Sequence, residues 1–186
     1  MKLRYGYFLI IHYVLFKIMN INYTEMPKIY GRLVINNNGT CTFGKGITFR
    51  SDLTSNMVGL FKPCTISVSK NGILQISDFS GFSGVSIYCV NKIIIGRYCN
   101  FGGNVSIWDT DFHPLDFAER RNPLQIAKSA PVIIGDDVFV GANSLILKGV
   151  LIGDRSIIGA GSVVTKNIPC DEVWAGNPAK FIRKNS

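Results

Sequence analysis

Branched apolar residues recur at every sixth position through the C-terminal part of the chain, at Ile134, Val140, Ile146, Ile152, Ile158 and Val164. A period of six matches neither the α-helical period of about 3.6 nor the strand period of about 2. It predicts a hexapeptide repeat in which each unit forms one short side of a triangular coil, and three units close a turn of roughly 18 residues. Ile134 is then expected to stack on Ile152, Val140 on Ile158, and Ile146 on Val164.

The residues around each apolar position support this prediction. Glycine follows it in four units (Gly135, Gly141, Gly153, Gly159), where we expect backbone angles that a Cβ would forbid. The fifth position of each unit is small or β-branched, as the inside of a narrow prism requires (Val138, Ser144, Val150, Ser156, Ser162, Ile168). Upstream the spacing is less regular, but six apolar segments predict buried parallel strands (33–35, 47–49, 66–68, 73–76, 85–88 and 92–95). The prediction is one β-helix domain over 33–170, preceded by an N-terminal cap (1–32) and followed by a basic tail (171–186).

The repeat has one large interruption, an inserted loop over 108–133. Long irregular excursions from a compact repeat are usually functional or disordered, and the aromatic residues here favour an ordered loop. The loop contains His113, one of only two histidines in the chain. The other, His12, lies in an apolar N-terminal segment, and we expect it to have a structural role or to lie on the surface.

Three features together resemble a known family. They are the Ile-Gly-X-X-Ser/Val repeats, the stretch Trp108-Asp109-Thr110-Asp111-Phe112-His113-Pro114, and the stretch Trp174-Ala175-Gly176-Asn177-Pro178-Ala179-Lys180. In combination they resemble the left-handed β-helix acyltransferases, and most closely the sugar O-acetyltransferases that include maltose and galactoside acetyltransferases. The resemblance implies an all-β, left-handed parallel β-helix that assembles as a homotrimer with active sites between subunits. It also implies acetyl transfer from acetyl-CoA to a saccharide hydroxyl in capsule or O-antigen synthesis. N-acetylation of an amino sugar, free or nucleotide-linked, is the alternative.

His113 is the candidate general base, because a neutral imidazole has a pKa near the working pH. A carboxylate on its other ring nitrogen would orient it, and Asp109 and Asp111 are equal candidates on sequence grounds. Turn formation is the competing interpretation of both aspartates. The resemblance places a backbone N–H at the Gly141-Ala142 corner, where it would stabilise the oxyanion of the tetrahedral intermediate.

The resemblance also implies a CoA groove beside the C-terminal coils. Its predicted lining is Phe139, Gly141, Ala142, Ala160, Gly161, Thr165, Lys166, Lys180 and Arg183. Phe139 occupies a position where several relatives have Trp. Lys166 and Arg183 are the candidates for phosphate contact, with a solvated basic face as the alternative. Ser83, where relatives have Asn, and Trp108 are the acceptor-binding candidates.

The formal charge of +8 does not indicate a nucleic-acid partner, because the basic residues form neither a recognition helix nor an aromatic-interleaved strand. Anionic CoA, an anionic acceptor or a membrane surface would each explain it. The most hydrophobic run, residues 3–18, is short for a membrane span and lacks a signal-peptidase site. It predicts a helix that caps the open end of the solenoid or packs on a neighbouring subunit. Peripheral membrane contact through residues 1–20 is the alternative.

The five cysteines are scattered, odd in number and without a Cys-X-X-Cys pair. This favours reduced thiols in a cytoplasmic protein, at the inner face of the membrane if the N-terminal helix binds lipid. Cys99 falls on a fifth position and is predicted to be core. Two histidines are too few for the three-histidine zinc site of β-helical carbonic anhydrases, so we predict no catalytic metal.

Overall fold

The computed structural model describes residues 2–122 and 126–185. Residues 1, 123–125 and 186, which belong to the predicted cap, inserted loop and tail, lie outside the described residues. The described chain forms a parallel β-helix whose three sheets run along its axis. The solenoid predicted from the six-residue period is therefore confirmed.

Each sheet takes one strand from each successive coil. The first sheet contains β1 (Ile21–Tyr23), β4 (Thr40–Phe43), β7 (Ile73–Ile76), β10 (Lys92–Ile95), β13 (Val132–Ile134) and β16 (Leu151–Ile152). The second contains β2 (Lys28–Gly31), β5 (Thr48–Ser51), β8 (Gly81–Ser83), β11 (Asn100–Phe101), β14 (Phe139–Val140), β17 (Ile157–Ile158), β19 (Glu172–Ala175) and β20 (Lys180–Lys184). The third contains β3 (Val34–Asn37), β6 (Thr65–Val68), β9 (Ser86–Cys89), β12 (Ser106–Trp108), β15 (Leu145–Ile146) and β18 (Val163–Val164).

The predicted stacking is correct in every pair. Ile134 pairs with Ile152, Val140 with Ile158, and Ile146 with Val164. All six side chains are buried, and they belong to one continuous core. The six predicted strand segments fall on β3, β5, β6, β7, β9 and β10. The core is thus a set of ladders, in which buried apolar side chains stack from one coil to the next.

Both ends of the solenoid differ from the boundaries expected from the sequence. Strands begin at Ile21, ahead of residue 33, because β1 pairs with β4 and β2 with β5. The repeat is hard to see there because only one side chain is buried in each of these two strands, Ile21 and Ile29. After residue 170 the chain does not form a free tail. Instead, β19 extends the second sheet beside β17, and β20 returns antiparallel to β19.

Helix α1 (Lys2–Ile18) covers the first coil. The Phe16 ring is fully buried, with its centroid 5.8 Å from that of Phe43 and 5.9 Å from that of Tyr23. The buried His12 accepts a hydrogen bond at Nε2 from the Leu33 N–H, at 3.1 Å. The structural role predicted for His12 is confirmed. An open solenoid end would expose its core rung, and α1 removes that exposure.

The repeat glycines serve a different purpose from the one expected. None of Gly135, Gly141, Gly153 and Gly159 has a positive φ. A Cβ on each would instead collide with the next coil; on Gly159 it would lie 2.8 Å from the Ala175 Cβ. The left-handed conformation falls two residues later, at Asp137, Asn143, Arg155 and Gly161. Glycine is therefore required by the close approach of stacked corners, not by the backbone angle.

Candidate active site

The inserted loop is ordered where it leaves the solenoid. Thr110 and Ser129 form an antiparallel bridge. On either side of it, the Asp111 N–H donates to the Lys128 carbonyl at 3.0 Å, and the Ala130 N–H donates to the Asp109 carbonyl at 2.9 Å. The two ends of the excursion are thus tied together. A short helix, α2 (Phe117–Arg120), lies further out in the loop.

An aromatic cluster fixes the start of the loop. The Phe112 ring centroid lies 5.2 Å from that of Trp108, edge to face, and 4.9 Å from that of Tyr88. Phe112 has a φ of 62°, so its backbone is in the left-handed region. His113 follows it and is exposed; its N–H donates to the Asp111 carbonyl at 2.7 Å. Within the described residues the imidazole makes no hydrogen bond, so both ring nitrogens are available to a ligand.

Asp109 is a structural residue. Its side chain is completely buried, and its two carboxylate oxygens accept the backbone N–H groups of Val90 and Asn91, each at 2.8 Å. These bonds hold the corner of the previous coil, where the six-residue register slips. With both oxygens occupied, the geometry gives Asp109 no contact with His113.

Asp111 is held differently. Its Oδ1 forms an ion pair with the Lys148 Nζ at 2.8 Å, and its buried Oδ2 has no hydrogen-bond partner among the described residues. Lys148 was not identified from the sequence. The pairing of Ile107 with Ile146 brings it beneath the start of the loop. No pattern in the sequence gives that register across the insertion.

Three predicted site residues line one cavity of about 400 Å³ on the outer side of the second sheet: Ser83, Phe139 and Ala142. Phe139 is 47% exposed, and the Ser83 hydroxyl accepts a hydrogen bond from the Asn56 side-chain amide at 3.0 Å. Trp108 lines a different cavity, of about 330 Å³, on the third sheet. The two acceptor candidates, Ser83 and Trp108, are therefore not brought together within one chain.

At the Gly141-Ala142 corner, one backbone N–H is free. The Gly141 N–H is used in the ladder, where it donates to the Ile158 carbonyl at 2.7 Å. The Ala142 N–H has no acceptor in the described part of the chain. A Cβ on Gly102, in the coil before, would lie 2.6 Å from this nitrogen, so glycine at that position keeps a side chain off the N–H. Among the described residues, the Ala142 N–H is thus the donor that this corner leaves free.

Small residues continue this corner into the next coil. Gly161 donates its N–H to the Ala142 carbonyl at 2.8 Å, and nothing lies within 4 Å of where a Gly161 Cβ would be. Ala160 is exposed beside it. The stacked positions 142, 160 and 161 form a strip of accessible backbone that an extended ligand could approach closely.

The basic residues predicted to bind CoA are spread over the last coil. Thr165 and Lys166 are exposed. They follow β18, whereas Ala160 precedes it, so they lie at the opposite end of this strand from Ala160. Lys180 is exposed and pairs with Ala175, which lies against the Gly159-Ala160 corner. Arg183 pairs with Val173, and its guanidinium donates to the Lys184 carbonyl at 2.8 Å. Of these cations, Lys180 is the one whose strand position lies beside the Gly159-Ala160 corner.

Sheet topology separates His113 from Ala142. His113 follows β12, whereas Ala142 precedes β15, the strand that pairs with β12. The third sheet therefore lies between the candidate base and the candidate oxyanion donor. A single chain does not place both groups on one reacting atom.

Four of the five thiols are sequestered in the core, and Cys170 is the exposed one. Cys41, Cys64, Cys89 and Cys99 are buried and free, and burial raises the pKa of Cys41 and Cys89 to about 12 and that of Cys64 and Cys99 to about 11. The core position predicted for Cys99 is confirmed. Among residues 2–122 and 126–185, no three His, Cys, Asp or Glu side chains cluster as a metal site would require.

Comparisons with known proteins place the chain among acetyltransferases. A family model for the hexapeptide repeat of succinyl-transferase matches residues 131–166. A Dictyostelium discoideum protein provisionally named an acetyltransferase is 36% identical over 141 residues, which is 73% of each chain. The polysialic acid O-acetyltransferase of Escherichia coli O1:K1 is 42% identical over 106 residues, covering 57% of this chain and 33% of that protein.

Solved structures extend the similarity to nearly the whole solenoid. A maltose O-acetyltransferase from Clostridium difficile 630 has a TM-score of 0.60 and 26% identity, over 94% of this chain and 74% of its own. A hexapeptide-repeat acetyltransferase from Vibrio cholerae O1 biovar eltor, solved with acetyl-CoA, has a TM-score of 0.58 and 22% identity, over 94% and 76%. The fold is the left-handed β-helix that the resemblance implied. The repeat model and the Dictyostelium relative, matched over 73% of its length, agree. The chain belongs to the hexapeptide-repeat acetyltransferase family.

Proposed function

We propose that the protein transfers an acetyl group from acetyl-CoA to a saccharide hydroxyl, with His113 as general base. The proposal rests on two groups that make no hydrogen bond among the described residues: the His113 imidazole and the Ala142 backbone N–H. An exposed imidazole ends an ordered turn after β12, and an amide N–H without an acceptor among the described residues lies at Ala142, on a strip of small residues. The named activities of the Escherichia coli and Clostridium difficile relatives support an O-acetyl transfer to sugar. The polysialic acid relative favours surface polysaccharide as the setting.

The chemistry requires a base and an oxyanion donor. As the acceptor oxygen forms its bond to the acetyl carbonyl carbon, the hydroxyl proton moves to a ring nitrogen of His113. The carbonyl oxygen becomes negative and accepts the Ala142 N–H. When the carbon–sulfur bond breaks, the imidazolium returns its proton to the departing sulfur. The products are the acetyl ester and CoA thiol.

The two groups would meet between subunits of a homotrimer. In a closed ring of parallel solenoids, the His113 corner of one chain faces the second sheet of its neighbour, which contains Ser83, Phe139 and Ala142. The ring then contains three sites, one at each interface. This arrangement accounts for acceptor candidates that lie on two different sheets of one chain. A monomer with full activity, by light scattering and assay, would refute the shared site.

The His113→Ala variant tests the base. We expect its kcat to fall about a hundredfold or more while acetyl-CoA binds almost as before, because the imidazole acts mainly in the transition state. Leu115→Ala, which removes another exposed loop side chain, is the matched control. Undiminished turnover by His113→Ala would rule out the mechanism.

The acceptor is tested by release of CoA thiol against a panel of sugars, amino sugars and nucleotide-linked amino sugars. O-acetylation predicts turnover with saccharides that have hydroxyl groups and no free amino group. N-acetylation is the second candidate, favoured by an N-acetyltransferase from Staphylococcus aureus that is 50% identical over 58 residues, or 24% of its length. Turnover confined to amino sugars would replace the first proposal with the second.

Phosphate contacts of CoA are proposed for the exposed basic residues of the last coil. Lys166→Ala and Arg183→Ala should each weaken acetyl-CoA binding by about 1–3 kcal/mol, with little loss of kcat at saturation. Lys180→Ala is the informative comparison, because Lys180 lies at the Ala160 corner. Unchanged binding in all three variants would make these cations a solvated face. Dephospho-CoA identifies which residue faces the 3′-phosphate, since that residue loses its effect.

A further inference from the structure

The outward face of α1 is apolar and uncovered. Its inward side chains, His12 and Phe16, are buried against the first coil. On the opposite side, Ile10 is 69% exposed and Ile18 67%, and Ile11, Tyr13 and Val14 between them are also exposed. A helix that is apolar all round is normally covered on both sides. From Ile10 to Ile18, the outward side of α1 is therefore left for a partner that the single chain does not provide.

The charges around α1 identify the kind of partner. The helix contains Lys2, Arg4 and Lys17 and no acidic residue. Residues 1–51 contain seven basic side chains against a single acidic one, Glu25, so most of the formal charge of +8 belongs to this end of the solenoid. Two such ends would repel each other, whereas an anionic lipid surface would attract them.

The aromatic and basic residues of α1 fit a helix that lies in the membrane plane. No helix in the described part of the chain is long and apolar enough to cross a bilayer, and α1 has 17 residues. Helices that lie at the interface bury an apolar face about 5–10 Å deep and keep basic residues at the headgroups. Exposed Tyr13, with the Lys17 ammonium 5.0 Å from its ring centroid, is a residue pair suited to that level.

We infer that α1 docks the protein on an anionic lipid bilayer. The outer face of the helix, defined by Ile10, Ile11, Tyr13, Val14 and Ile18, enters the headgroup region. In the homotrimer of the proposed function, a three-fold axis along the solenoids presents three such helices to one plane. Together they bind more tightly than one helix alone. On that proposed function, the acceptor held near the active sites is a saccharide attached to lipid.

Vesicle flotation of the full chain tests the inference. The protein should float with vesicles of phosphatidylcholine and phosphatidylglycerol in equal amounts, and far less with phosphatidylcholine alone. Ile10→Ser with Ile18→Ser should reduce partitioning by about tenfold or more, since two apolar side chains leave the lipid. Lys17→Gln should reduce it by about fivefold on anionic vesicles only, which is about 1 kcal/mol for one basic residue at the surface. Added salt should weaken binding in the same way.

The matched control removes two exposed aliphatic side chains elsewhere, Leu151→Ser with Ile182→Ser, which are 48% and 57% exposed. It should float like the parent. Circular dichroism shows whether each variant keeps its fold. Lys17→Gln changes only an exposed side chain, so it tests the lipid contact without disturbing the packing of α1 on the first coil. Acetyl transfer to a water-soluble acceptor should be unchanged in the α1 variants, so loss of vesicle binding with intact transfer isolates the docking surface from the catalytic proposal.

Two results would overturn the docking. One is parent protein that stays unbound on anionic vesicles. The other is an Ile10→Ser and Ile18→Ser variant whose particle mass by light scattering falls to half that of the parent. That result would mean that, in the parent, a second copy of the protein covers this face of α1 instead of lipid.

Discussion

Replacing Asp109 by Asn separates a structural carboxylate from a catalytic one. In the folded protein both of its oxygens accept backbone N–H groups, from Val90 and Asn91, at full burial. Asparagine keeps one acceptor and points an NH₂ group at the other N–H. The variant therefore loses a hydrogen bond to a charged group and leaves a buried donor without a partner, at a cost of about 2–4 kcal/mol in the free energy of unfolding.

That cost is large enough to measure by thermal unfolding. For a chain of 150–250 residues, each kcal/mol lowers Tm by roughly 2–4 °C, so Asp109→Asn should melt about 5–15 °C below the parent. Asp116→Asn is the matched control in the same loop. Asp116 accepts the N–H groups of Ala118 and Glu119 as an N-cap, a role that asparagine fills nearly as well. Its Tm should stay within about 2 °C of the parent.

Kinetics complete the test. Assayed well below its Tm, Asp109→Asn should keep kcat within about threefold of the parent, because the carboxylate does not contact the base. The opposite pattern, an unchanged Tm with kcat reduced about a hundredfold, would show that Asp109 orients His113 and that the structural interpretation is wrong.

Three further outcomes are expected. Phe16→Ala should lower the free energy of unfolding by about 3–5 kcal/mol in urea melts, because it empties the contact between α1 and the first coil; a loss below about 1 kcal/mol would mean that α1 does not cap the core. A thiol reagent should modify Cys170 alone in the native protein and all five cysteines after unfolding, because the other four are buried and their pKa is raised; fast reaction of a second thiol would contradict this. The ion pair with Lys184 holds the pKa of Glu172 below its usual range. The ion pair therefore stabilises the folded state above the unfolded pKa of about 4.3, and this stabilisation is lost as the pH falls through the lower folded pKa. Hydrogen exchange of the β20 amides, corrected for the intrinsic pH effect, should therefore lose protection in acid, and constant protection would exclude the pair as a support of β20.

The sequence by itself determined the solenoid and its stacking. A ladder repeats one interaction in every coil, so the spacing of Ile134, Ile152 and their equivalents contains the register directly. The same spacing separated the inserted loop, because a segment with no rungs cannot belong to the core. His113 became the candidate base through its place in that loop, its rarity and the resemblance to a known family.

Contacts between coils were decided only by the tertiary structure. Lys148 reaches Asp111, and Asp109 reaches Val90 and Asn91, across strands whose register the loop and the slipped corner hide. The reason for the repeat glycines also changed, because the distance between stacked corners is a property of two coils and not of one. The separation of His113 from Ala142 by the third sheet was likewise decided only by the tertiary structure. It follows from which sheet each strand joins, and the six-residue period is identical for all three sheets.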